Sequence, residues 1–268
     1  MFFFSGDLKV INVLAGVMAN SSSHPCAYCT VHKNSLGTAR GAARTIGSVK
    51  KYADLWLAAG GKEKDAKQFF NCVHHPVLCG TESKKIVHGC PPPSLHLLLG
   101  LSNAIYDHVA TENSKAAEAW AAAANALRHA QFGFTGRCCR NLVAKRAALK
   151  NAGLFSHFSL LENLQDVLDK CFSTDLKQGY QASIDKFCNS WVLANLPITP
   201  KLHILKYHVG EYCEHTGEGL ARSSEQTIEA VHSDFAAAWE NYKVPENHDK
   251  YPIKLLNAVV AYNSSHTS

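Results

Sequence analysis

The chain has 268 residues, of which 46% are hydrophobic and 18% charged, a composition typical of a folded protein with one large core or two small ones. Its 27 basic and 22 acidic side chains give a formal net charge of +5, which permits contact with a polyanion without requiring it. No apolar run is long enough to span a membrane, and the ten cysteines are too dispersed for a small disulfide scaffold, so we expect a soluble protein with reduced thiols.

The first segment, MFFFSGD, predicts the end of a central strand that stops at Asp7. LKVINVLAGVM follows, and its apolar residues at spacings of three and four predict an amphipathic helix whose core stripe is Val10, Val13, Leu14 and Val17. A polar cluster ends this helix before HPCAYCTV, which is typical of a short strand or a knuckle.

From about residue 48 the sequence is typical of helices. SVKKYADLWLAAGG, SKAAEAWAAAANALRHA and LLENLQDVLDKCF each combine strong helix formers with an apolar face, and a further helix is expected over about 176–193. SSEQTIEAVHSDFAAAWENY predicts a last helix, with Ile228, Val231, Phe235 and Trp239 as its core stripe. The sequence therefore predicts a mainly α fold with minor β structure.

Cys26 and Cys29 have the two-residue gap of a zinc knuckle, and His203 and His208 are five apart, a gap found in the histidine half of Cys2His2 sites. Together they would complete a tetrahedral set, and the site would fasten the start of the chain to its end. The cysteines could instead be a redox pair or inert buried thiols. The histidines could be ordinary core or surface residues.

A second group of candidate residues is acidic. Asp7 stands where the predicted strand ends, and Glu225, Glu229 and His232 fall on one face of the last predicted helix. A carboxylate pair from the two segments would suit Mg²⁺ in phosphodiester chemistry. Alternatively, Asp7 is a helix N-cap and the glutamates belong to a solvated helix face.

The ordered set GDLKVINVLAG, CAYC, PPPSLHLLLG, GFTGRCCRNLV, TPKLHILKYHV and SEQTIEAVHSDF resembles the C-terminal part of the Transib transposases and of their vertebrate relative, the catalytic subunit of the V(D)J recombinase. The resemblance extends over nearly the whole chain. It implies a DDE-type RNase H-like core, present here as its C-terminal portion, which is interrupted by a large helical insertion pinned by a Cys2His2 zinc site.

The resemblance assigns roles to individual residues. Asp7 matches the second catalytic aspartate and Glu229 the catalytic glutamate, both as ligands of Mg²⁺ or Mn²⁺, and a one-residue slip of the helix would substitute Glu225 for Glu229. Cys26, Cys29, His203 and His208 match the structural zinc ligands. The implied segments are 1–30 (end of the core and knuckle), 31–198 (helical insertion) and 199–268 (histidine half-site and glutamate helix).

The family's first catalytic aspartate has no counterpart, so we expect a transposase-derived fragment that is inactive alone. The resemblance implies DNA as partner, a homodimer in the full-length form, nuclear localisation and no membrane association. The alternative is a non-catalytic, zinc-stabilised helical domain that binds DNA or protein. Arg137, Arg140, Lys145 and Arg146 could contact DNA phosphates or form an ordinary solvated face, and His96 could lie near the active site or in the core.

Overall fold

The computed structural model describes residues 4–130, 133–224, 235, 239–245 and 247–266. The chain forms two compact units, 1–224 and 225–268. Within the described ranges there are isolated β-bridges but no sheet, so the expected mainly α fold is confirmed, whereas the RNase H-like core stays a prediction. The helices in these ranges include none that is long and apolar enough to cross a membrane.

The α-helices described in the first unit are α1 (Leu8–Ala15), α2 (Ile46–Ala58), α3 (Ser94–Glu112), α4 (Ser114–Ala123), α5 (Gly136–Ala144), α6 (Ala147–Asn151), α7 (Phe155–Cys171), α8 (Tyr180–Leu193), α9 (Pro200–Ile204) and α10 (Gly210–Thr216). A π turn, Leu205–Val209, joins α9 to α10. Short 3₁₀ turns lie at Lys33–Ser35, Glu63–Phe69, Ile86–His88 and Leu220–Ser223. The helices predicted from about residue 48 to 193 are confirmed, although α4 ends at Ala123, before the end of the segment SKAAEAWAAAANALRHA. The segment KEKDAKQFF, residues 62–70, contains the second 3₁₀ turn.

The start of the chain differs from the prediction. Residues 4–7 form no strand, because the described part of the chain offers no neighbouring strand to pair with them; the Phe4 amide donates to the carbonyl of Gly89 instead. Residues 1–3 lie outside the described part. In α1 the buried residues are Leu8, Ile11, Asn12 and Ala15. Of the predicted stripe, Val10 and Val13 are exposed, whereas Leu14 packs against the core and Val17, just beyond the helix, is buried. Apolar residues at spacings of three and four occur on two faces of this helix, so the spacing alone does not decide which face is buried.

One contiguous hydrophobic core joins the helices of the first unit. Helix α7 contributes every residue of its predicted apolar face, and these are Leu160, Leu161, Leu164, Val167 and Leu168. Helix α8 packs against α7, and its buried apolar residues are Ile184, Phe187, Cys188 and Trp191. Burying side chains of this size contributes about 1.5–3 kcal/mol each, so this pair anchors the helical part of the chain.

In the second unit, the described structure contains α11 (Tyr251–His266). Trp239 is in helical conformation, and its ring meets that of Tyr251 edge to face at 5.6 Å. Of the predicted stripe, Ile228 and Val231 lie outside the described residues.

Candidate metal centre

Residues 24–32 form an irregular loop that buries both cysteines completely. Cys26 and Cys29 are each 0% exposed, and the backbone N–H of Tyr28 points at the Cys26 Sγ, 3.4 Å away. Cys29 pairs with Ala43 in an isolated antiparallel bridge, and the amide of Thr30 donates to the carbonyl of Ala42. The knuckle is therefore held by the backbone of residues 42–44 and not by a sheet.

The two histidines lie on either side of the start of the π turn. In a regular α-helix with about 3.6 residues per turn, side chains five apart would diverge by about 140°. A π turn has hydrogen bonds from residue i to i+5, so it brings residues five apart nearly above one another. Because Leu205–Val209 takes this form, His203 and His208 face the same way, and their ring centroids are 5.4 Å apart.

The four side chains converge in the core. One donor atom from each of Cys26, Cys29, His203 and His208 lies within 4.8 Å of the other three. The Cys29 Sγ is 3.3 Å from the His203 Nε2, across 174 positions of sequence. In a tetrahedral zinc site, with bonds of about 2.3 Å to sulfur and 2.0 Å to nitrogen, such a pair is separated by about 3.5 Å. The group could therefore hold a metal ion such as zinc.

The hydrogen bonding of the imidazoles also fits a metal. The His203 Nδ1 donates to the carbonyl of Leu36 at 2.8 Å, which leaves the Nε2 lone pair facing the cysteines. His208 is 0% exposed; its Nδ1 faces the Glu211 carboxylate 3.5 Å away, and its Nε2 has no partner in hydrogen-bond geometry. A buried polar nitrogen without a partner costs about 1–3 kcal/mol, and a metal bond would remove that cost.

The thiols are unequal. The hydrogen bond with Cys26, together with His203 and His208 beside it, lowers the pKa of Cys29, whereas burial and the neighbouring Cys29 raise the pKa of Cys26. The pair thus favours one thiolate and one thiol that donates to it. A metal ion would take the place of the remaining proton.

Arg44 holds the knuckle together, and no sequence pattern points to it. Its side chain is 1% exposed, and the guanidinium donates to the carbonyls of Cys26 and Cys29 at 3.0 and 3.1 Å. It also donates to the Phe70 carbonyl at 2.7 Å and points at the Cys72 Sγ, 3.1 Å away. A buried arginine is rare, and no spacing rule identifies one in advance.

Glu211 lies one turn beyond His208, with its carboxylate 3.5 Å from the His208 Nδ1. It pairs with Lys85 at 2.6 Å and with Arg40. Burial opposes ionisation of Glu211, but His208, Lys85 and Arg40 together lower its pKa to about 2. A carboxylate beside the second nitrogen of a metal-binding histidine orients the ring and increases its basicity.

The acidic pair is only partly within the described structure. Asp7 is the N-cap of α1, and its Oδ1 accepts from the Val10 amide at 2.8 Å. Glu225, Glu229 and His232 lie outside the described residues. A magnesium site formed by Asp7 and Glu229 or Glu225 therefore stays a prediction.

The remaining candidates have separate environments. His24 Nδ1 contacts the Thr30 carbonyl at 2.9 Å and His32 Nδ1 accepts from the Asn34 amide, so neither belongs to the cysteine–histidine group. His96 lines an open cleft of about 940 Å³ together with Arg128 and Lys201. Arg137, Arg140 and Lys145 are exposed, on α5 and at its C-terminal end.

None of the ten cysteines, all of which lie within the described residues, forms a disulfide bond. No protein-family model matches the chain, and no curated protein matches it significantly.

Proposed function

We propose that Cys26, Cys29, His203 and His208 hold a structural zinc ion. We also propose that the chain is part of a DDE-type DNA transposase or recombinase, in which this zinc would hold the helical domain in place. The observation that supports the zinc is the burial of all four donors in one group. Four protein ligands with no solvent-facing position are typical of a structural site, since catalytic zinc keeps one position open. The transposase assignment is supported by the order and spacing of the motifs.

In this proposal, Asp7 and Glu229, or Glu225 in its place, would hold Mg²⁺ or Mn²⁺. The metal would activate water or a 3′-hydroxyl for attack on a DNA phosphodiester. Asp7 would contribute a carboxylate oxygen that is fixed by the first turn of α1. DNA would be the partner, in the nucleus, with a homodimer as the active assembly.

One observation favours a second candidate function, a zinc-stabilised domain that binds DNA or protein without catalysis. The carboxylate of Asp7 already caps α1, a role that fully accounts for an aspartate at this position. The helical scaffold and the zinc would then be retained without the reaction.

The zinc proposal is tested by elemental analysis of the purified chain and of the His203→Ala/His208→Ala variant. We expect about one tightly held zinc per chain, absent from the double variant. His74→Ala/His75→Ala, which removes two exposed histidines, is the matched control and should keep the zinc. A chain without zinc, or a double variant that still holds zinc after desalting, contradicts the proposal.

Substitution of Asp7 distinguishes catalysis from capping. Asn caps a helix as well as Asp, whereas Ala reduces the capping energy by about 1 kcal/mol. If Asp7 binds a catalytic metal, Asp7→Asn weakens the binding of Mn²⁺ to the chain, measured by calorimetry, while the melting temperature is unchanged. If the parent chain binds no Mn²⁺, or if Asp7→Asn binds it as tightly as the parent does, the catalytic role is wrong and the second function is favoured.

A further inference from the structure

A second group of metal-binding residues lies where the C-terminal end of α3 meets the first turn of α7. His108 and Glu112 are four residues apart on α3, so they share one face of the helix. His157 comes from α7 and is 1% exposed. None of the three belongs to the cysteine–histidine centre or to the acidic pair.

The three side chains are close enough to share one ion. The His108 Nδ1 and the His157 Nε2 form a hydrogen bond of 2.9 Å, and the His108 Nδ1 is 3.6 Å from one Glu112 oxygen. The other Glu112 oxygen is 3.7 Å from the His157 Nδ1. One ligand atom from each residue falls within 4.8 Å of the other two.

The three side chains offer the nitrogen and oxygen donors that a transition-metal cation binds. Burial is the main cause that lowers the pKa of His157, and this favours the neutral form of its ring over the charged form. The His108 Nδ1 and the His157 Nε2 share one proton in the structure, and a metal ion bound by both nitrogens would take the place of that proton. The Glu112 carboxylate supplies a negative charge within reach of both rings.

We infer that His108, Glu112 and His157 form a second, exchangeable binding site for a divalent transition-metal ion. Two imidazoles and one carboxylate are a ligand set of zinc and of non-haem iron, and they leave coordination positions for water. Glu112 is 46% exposed and His108 23%, so the ion can reach this site from solvent, unlike the enclosed cysteine–histidine centre. The bound metal would link α3 to α7 and close the segment 113–156, which contains α4, α5 and α6.

Cobalt distinguishes the two centres, because Co²⁺ bound by thiolates has an intense near-ultraviolet charge-transfer band, whereas Co²⁺ bound by histidine and carboxylate has only weak visible bands. The full chain, freed of loosely bound metal by desalting, is titrated with Co²⁺ and followed by absorption and calorimetry. We expect one further equivalent per chain with visible bands and no thiolate band. If the cysteine–histidine centre were empty, a thiolate band would develop, so failure of that centre is recognised separately.

The variants are Glu112→Gln and His108→Ala, which change solvent-accessible side chains and leave the buried His157 ring in place. Each should weaken this equivalent at least tenfold. His75→Ala is the matched control, because His75 contacts a single exposed carboxylate, that of Asp54, at 2.7 Å and should not affect the titration. Absence of the further equivalent, or an affinity that neither variant changes, overturns the inference.

Discussion

Arg44 is a single residue on which the shape of the metal centre depends. Its guanidinium connects the carbonyls on either side of the CxxC turn to the carbonyl of Phe70, without a carboxylate partner among the described residues. Hydrogen bonds to a charged group are worth about 1.5–3 kcal/mol each, and acceptors left buried and unpaired incur a further cost. A side chain in this position sets the spacing of the cysteines before any metal binds.

We therefore expect Arg44→Met to lower the free energy of unfolding by about 3 kcal/mol or more and to weaken zinc binding. Arg44→Lys, which keeps the charge but not the forked geometry, should lie between the parent and Arg44→Met. Urea denaturation measures the first effect and competition with a chelator the second. The control is Arg137→Met, an exposed position where the change should stay within about 0.5 kcal/mol. Equal stability of the Arg44 and Arg137 variants would show that the knuckle does not depend on Arg44.

The residues of this centre differ in how far the sequence reveals them. Cys26, Cys29, His203 and His208 could be chosen because few residue types bind zinc and their gaps match known half-sites. Arg44 and Leu36 could not, because they act through a buried guanidinium and a backbone carbonyl, which have no pattern in sequence. His108, Glu112 and His157 were also missed, since residues from two helices meet only after those helices pack.

At the scale of elements, helices were predictable wherever one apolar face is clear. LLENLQDVLDKCF has such a face, and α7 buries it as expected. Helix α1 has apolar residues on two faces, so its orientation depends on packing that the sequence does not encode locally. The π turn at Leu205–Val209 was missed as well, because its extra residue changes hydrogen bonding without changing composition.

Helices α7 and α8 are linked by a small polar network at the edge of their apolar interface. The buried Ser183 hydroxyl donates to the Asp166 carboxylate, and Lys170 contacts both groups at 3.0 Å. The hydrogen bond from Ser183 is the main cause of the lowered pKa of Asp166. A lowered carboxyl pKa contributes stability above the unfolded value of about 3.9, and this is lost as the pH falls through the folded value.

Ser183→Ala should therefore lower the free energy of unfolding by about 1 kcal/mol at pH 7, and the difference from the parent should shrink as the pH falls below about 4. Thermal unfolding between pH 3 and pH 7 measures this. Ser190→Ala on the same helix is the control, because Ser190 bonds only to the Phe187 carbonyl, and its effect should not vary with pH. A Ser183 effect of constant size across this range would exclude Asp166 as its source.

Helix α5 carries exposed basic residues that could contact the proposed DNA partner. Arg137 and Arg140 are three apart on it, Lys145 follows at its end, and all three are exposed. Phosphate contacts of this kind are independent of base sequence and depend on salt. The proposed DNA partner therefore makes this face a candidate for backbone contact.

Removing the three charges by alanine substitution should weaken duplex binding and reduce the slope of log affinity against log salt by about 0.9 for each phosphate that is no longer neutralised. Fluorescence anisotropy over a range of salt concentrations measures both. The control replaces three exposed lysines by alanine, and these are Lys62, Lys64 and Lys67, at the start of and within the 3₁₀ turn Glu63–Phe69. It changes the net charge by the same amount. An equal decrease in affinity in the two variants would mean that net charge alone matters and that α5 makes no specific contact.

At the scale of the whole molecule, the proposed zinc would bridge residues 174 positions apart and close most of the first unit into one loop. A cross-link across a loop of this length reduces the entropy of the unfolded chain by the equivalent of about 5 kcal/mol. The helices of the core are packed on one another by hydrophobic contacts that need no metal. The proposed metal and the core would therefore stabilise the fold by separate means.

Removal of the zinc with a strong chelator should accordingly lower the melting temperature by about 10–20 °C, at about 2–4 °C per kcal/mol for a unit of this size. Far-ultraviolet circular dichroism at 25 °C should keep most of the helical signal, because the hydrophobic core persists. His203→Ala/His208→Ala should reproduce the lower melting temperature without chelator, and His74→Ala/His75→Ala should respond to chelator as the parent does. If the zinc is removed and the melting temperature does not change, the cross-link contributes nothing to folding. In that case the four buried side chains would bind the metal without stabilising the fold.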